Sequence, residues 1–201
     1  GEVILDPTLS ISLPSQTTAA TGMDALVHCL EAYCVSSFHP MADGIALEGL
    51  RLIKEWLPKA FSDGKNLSAR GNMLVAASMG STAFQKGLGA IHALSHPIGA
   101  ICKSHHGMTN AILIPPVLKL NQEAISHKIE NLANFLEIQG GFEGFYNFVA
   151  EFMETLGIPD KLSSLGVKED HIDEIVRMAL SDPSASSNPV ALTERNVRAL
   201  L

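Results

Sequence analysis

From Ser15 onward, apolar residues recur at intervals of three and four, the period of a helix with one buried face. In "SQTTAATGMDALVHCLEAYCVS" they fall at Ala25, Val27, Leu30 and Cys34, with Ser15 or Thr17 as the N-cap. The same spacing predicts a helix from Met41 to Leu57, ended near Pro58 and Gly64, and another from Leu67 to Phe84. The Ala, Gly, Ser and Met content of the latter suits close packing. "GLGAIHALSHPIGAICKSHHGMTNAI", Gly87 to Ile112, is read as a helix opened by Gly87 and Gly89. Pro97 is expected to bend it so that His106 sits in a turn. "AISHKIENLANFLE", "FEGFYNFVAEFMETLG", "KEDHIDEIVRMAL" and "LTERNVRALL" are each amphipathic and are separated by Gly, Pro or Ser clusters, with Gly157 just past a helix end.

The first fourteen residues behave differently. Asp6-Pro7 and Leu13-Pro14 oppose a helix, so the lead-in is expected to be extended, with "VIL" as one short strand. "SDPSASSNPV" reads as an ordered surface loop. No alternation of strand with helix appears, and neither a GxGxxG after a strand nor a P-loop. The pattern therefore predicts an all-α multi-helix array. A lone strand needs a sheet to join, so a preceding domain is expected.

Composition narrows the function classes. At 46% hydrophobic and 17% charged, the 201-residue chain is poorer in charge than the usual ~25%, which fits a large core or a surface that meets a partner. A net charge of -7 without any basic run argues against nucleic acid and anionic membranes. No apolar run has the length of a membrane span, and no signal peptide is evident. Cys29, Cys34 and Cys102 form no CxxC pair and suggest reduced thiols packed in the core of a cytoplasmic protein.

Polar groups on the apolar helices carry the candidate chemistry. Asp24 and His28 are four residues apart, on one helix face. His92 and His96 repeat that spacing, and His105 and His106 follow. Such groups are costly in an apolar setting unless paired, and an Asp-plus-His set suits Zn²⁺ or Fe²⁺. His39, His127 and His171 sit in polar or terminal contexts and read as surface residues. Between His105 and His106, spacing does not decide, although Gly107 favours the second.

"ATGMDALVHCLEAY" and "AFQKGLGAIHALSHPIGA" with "HHGMTNAILIPPVLKLN" closely resemble the iron-containing (group III) alcohol dehydrogenase family, and the likeness continues to "NPVALTERNVRALL". The match is to the C-terminal helical half, a dehydroquinate synthase-like all-α domain. Residues 1–14 would then lead in from an absent N-terminal nucleotide-binding domain. The resemblance implies Asp24, His28, His92 and His106 as metal ligands and His96 as a catalytic residue at the nicotinamide, handling the proton. It implies Phe84 as a wall of the substrate pocket. It further implies hydride transfer between a small alcohol or carbonyl compound and NAD or NADP, with the metal favouring the alkoxide, and a homo-oligomer. Two other readings remain: a metal-dependent hydrolase, and a non-catalytic metal-binding or assembly module.

Overall fold

The helix α1, Ser15–Cys34, is apolar on nearly every side, and the fold is arranged around it. In the computed structural model, which describes residues 2–201, α1 packs against α2 (Pro40–Ser62), α3 (Leu67–Ala83) and α5 (His106–Phe135). The short helix α4, Ala90–Cys102, lies against α5 and α7 (Ile172–Leu180). The helix α6, Gly141–Thr155, covers α5, and α8, Glu194–Leu200, packs on α7. No strand occurs among the described residues, and the array is all-α. None of their helices is long and apolar enough to cross a membrane.

Side chains from distant elements close the helix ends. Tyr33 and Val35 carbonyls at the end of α1 accept from Lys128 Nζ at 2.7 and 2.8 Å. Lys54 donates to the Leu136 carbonyl at the end of α5. Arg70, buried in α3, donates to the Leu13 and Gly64 carbonyls and to Thr18 Oγ1, tying the lead-in to α1. Cys29 and Cys34 are buried free thiols, and burial pushes both up to about 12, which leaves them protonated packing residues.

Several local expectations are corrected. "VIL" is not a strand: Val3, Ile4 and Leu5 are irregular and exposed. The residues after it are not extended, because Asp6 accepts from the Thr8 amide and Pro7 opens a 3₁₀ turn, Pro7–Ser10. Neither Ser15 nor Thr17 caps α1, whose N-cap position is Pro14. Pro58 does not stop α2, which continues to Ser62. Pro115 and Pro116 likewise sit inside α5, a continuous helix of 30 residues that absorbs the segment read separately from Ala124. Burial of Ile112, Leu113, Ile114, Val117 and Leu118 on both sides of the prolines holds the helix through the lost hydrogen bonds. The "SDPSASSNPV" segment contains a 3₁₀ turn, Pro183–Ser187, and its Asn188 is buried rather than superficial.

Candidate metal centre

Three helices of this array converge on one point. Asp24 and His28 come from consecutive turns of α1, His92 from the first turn of α4, and His106 is the first residue of α5. Asp24, His28 and His92 each offer a ligand atom within 4.8 Å of the others. His106 stands beside this group, its Nε2 3.4 Å from Asp24 Oδ1. The His92 ring lies 4.6 Å from that of His28 and 5.4 Å from that of His106.

The route that brings His106 there differs from the expected one. Pro97 lies within α4, and the chain reverses at Lys103, which adopts a left-handed φ of 54°. α5 then starts at once, so His106 is helical rather than in a turn. Gly107 makes the approach possible: a Cβ there would run into the Ala20 carbonyl, so the first turn of α5 lies directly on the α1 backbone. His105, the N-cap residue, is exposed, whereas Gly107 and Asn110 are buried.

Hydrogen bonds at the centre are unbalanced. Asn110 Nδ2 lies 2.6 Å from Asp24 Oδ1, 3.1 Å from His106 Nε2 and 3.4 Å from His92 Nε2. One amide has two hydrogens for these three acceptors, and its own buried Oδ1 has no hydrogen-bond partner. Burial pushes the His28 and His106 imidazoles below their ordinary values, with Asp24 opposing the shift in both cases. Neutral rings keep lone pairs available. One carboxylate and several such imidazoles, crowded together with too few donors, form a donor set suited to a divalent cation.

The remaining candidates lie around this group. His96, 47% exposed, stacks on His106 with centroids 5.6 Å apart and gives its Nδ1 to Asp182 Oδ2 at 2.8 Å. The Phe84 ring lies 5.2 Å from that of His28. His39 caps α2, accepting from the Ala42 amide. His127 is exposed, and His171 contacts Cys102.

Sequence reasoning missed four participants. Asn110 and Asp182 make the contacts given above. Glu31 and Asn188 hold the N-terminus of α4: Glu31 accepts from the Gly89 and Ile91 amides, and Asn188 from that of Ala90. Glu31 had a legible signal. Asp24, His28 and Glu31 stand at i, i+4 and i+7 in the otherwise apolar part of α1 from Gly22 to Cys34, which is a single polar stripe. Asp182 and Asn188 carry no such periodicity.

The profile described as "Fe-containing alcohol dehydrogenase family, C-terminal" matches residues 18–201. The chain therefore belongs to the iron-containing alcohol dehydrogenase family, in its C-terminal region. It is similar to the 4-hydroxybutyrate dehydrogenase of Cupriavidus necator, 37% identical over 98% of this chain and 54% of that protein. The NAD-dependent methanol dehydrogenase of Bacillus methanolicus is 34% identical over 98% of this chain and 54% of the relative. A solved structure of 1,3-propanediol oxidoreductase superposes with a TM-score of 0.92 at 36% identity, covering 97% of this chain and 53% of that one. The chain thus spans about half the length of the relatives it matches.

Proposed function

We propose that this chain is the metal-binding catalytic domain of an alcohol dehydrogenase, moving hydride between a small alcohol, or its aldehyde or ketone, and NAD or NADP. Residues 1–14 would lead in from a nucleotide-binding domain, the complete enzyme would be a cytoplasmic homo-oligomer, and the chain alone would reduce little NAD(P)⁺. The observation that carries the reading is the convergence of Asp24, His92 and His106 on a single amide of Asn110 that cannot satisfy all three. Asp24, His28, His92 and His106 would hold Fe²⁺ or Zn²⁺. A divalent ion so held supplies Lewis acidity toward the substrate oxygen.

The chain's own residues would do the rest. Asp24 brings one negative charge, which offsets part of the ion's and leaves a site of net charge near +1 for an oxygen ligand. His96 has Nδ1 engaged by Asp182, so Nε2 is its free ring nitrogen, and its exposure suits exchange of the substrate proton with water. Phe84 against His28 would keep water from one side and receive the carbon skeleton of the alcohol. The nicotinamide carries the hydride, and the protein contributes position and charge.

The test is turnover by the complete protein. Alcohol-dependent NAD(P)⁺ reduction is expected to require a divalent metal and to disappear in His92→Ala. Hydrolysis of esters or phosphates without a nicotinamide would overturn the reading.

A further inference from the structure

We infer that Glu31 is a positioning residue that sets the tautomer and aim of His92, and through it the affinity of the centre for its metal. The inference rests on the metal reading above. Glu31 is 6% exposed and His92 1%. A buried carboxylate needs donors, and Glu31 has two backbone amides beside the His92 imidazole. Its Oε1 accepts from the Ile91 amide at 2.7 Å, while Oε2 accepts from the Gly89 amide at 3.0 Å and lies 2.7 Å from His92 Nδ1. A carboxylate with this company is an acceptor only, so the proton of a neutral His92 must sit on Nδ1. The lone pair then belongs to Nε2, the atom that faces Asn110 Nδ2 at 3.4 Å, on the side of Asp24 and His106.

The local sequence is shaped to allow the contact. Gly89 is the N-cap of α4 and has no side chain with which to cap it. A Cβ at Gly89 would lie 2.8 Å from Glu31 Oε1 and from Asn188 Oδ1, so any larger residue would push both away. Asn188 takes the Ala90 amide, and Glu31 is left for Gly89, Ile91 and the imidazole. The positive end of α4 favours the negative charge there. One helix, α1, thereby supplies Asp24 and His28 and orients a third ring on another helix.

Capping alone would need only the two amides, each on its own oxygen, so Glu31→Gln disturbs capping too, and comparing it with and without His92 separates the roles. With its oxygen toward Gly89 and His92, the glutamine sets its NH₂ against the Ile91 N–H. Turned over, it sets the NH₂ against His92 Nδ1 and forces the proton to Nε2. Neither orientation reproduces all three contacts.

The experiment is a Zn²⁺ titration of the metal-free complete protein by competition with a chromophoric chelator, with ¹⁵N NMR of the histidine rings. Wild type is expected to show His92 protonated at Nδ1, and Glu31→Gln to bind Zn²⁺ about 10–100-fold more weakly. In a His92→Ala background, titrated up to the higher Zn²⁺ concentrations that Asp24, His28 and His106 alone need, Glu31→Gln is expected to add little further loss. Unchanged Zn²⁺ affinity in Glu31→Gln, or the same loss with and without His92, overturns the inference. So does an Nε2–H tautomer in wild type, which is read without any variant having to fold. Failure of wild type to take up Zn²⁺ overturns instead the metal reading on which it rests.

Discussion

Two helices of similar length, α6 and α4, show two ways of burying a face. α6 buries Phe142, Phe145, Val149, Phe152 and Met153, at helical intervals and without a polar atom in the set. Its N-cap position is Gly140, and no side chain caps it. α4 buries Ile91, Leu94 and Ile98, but His92 and Ser95 with them, and its first turn is held by a carboxylate and an amide from elsewhere in the chain. The first helix is stabilised by area removed from water. The second spends part of its burial on polar groups that are tolerated only because each has a partner. Stability and metal binding should therefore separate along this line.

The largest separation is expected from Phe145→Ala. It should lower the unfolding free energy by about 3–5 kcal/mol in chemical denaturation and leave Zn²⁺ affinity of the folded protein unchanged. Metal itself comes next. Zn²⁺ at 100 times its dissociation constant should raise the stability of wild type by about 2.7 kcal/mol, while His92→Ala should show almost no rise. Gly107→Ala crosses the divide, because the added methyl meets the Ala20 carbonyl beside His106. It should cost about 1–3 kcal/mol and also weaken Zn²⁺ binding. If it weakens neither, the close approach of α5 to α1 does not position the site. Thr193→Ala removes the cap of α8 and should cost about 1 kcal/mol, with no effect on metal. His96→Ala should leave metal content intact while lowering turnover. Loss of metal equal to that in His92→Ala would make His96 a ligand and void the division of roles.

The same contrast explains what could be read in advance. α6 was legible because apolar periodicity reports burial directly, and Gly157, with its φ of 64°, ends α6 where its sequence position implies. Asp24, His28 and His92 stood out because polar groups on apolar helices must have partners. The partners were harder to see. Asn188 lies 98 residues from the Ala90 amide it accepts, and no local pattern encodes such a distance. The continuity of α5 was also hidden, since Pro115 and Pro116 oppose a helix locally and only packing from the rest of the fold outweighs them. Pro97 was credited with a reversal that the left-handed Lys103 makes. Single-residue rules identified that the chain must turn back there, but not which residue turns it.

The central claim is that Asp24, His28, His92 and His106 hold a divalent metal. Metal analysis of the complete protein purified without oxygen, beside its His92→Ala variant, tests it most directly, with circular dichroism to verify the fold of each. A stoichiometric complement of iron or zinc is expected in wild type, with its loss from a folded His92→Ala. A His92→Ala protein that keeps the full complement would contradict it.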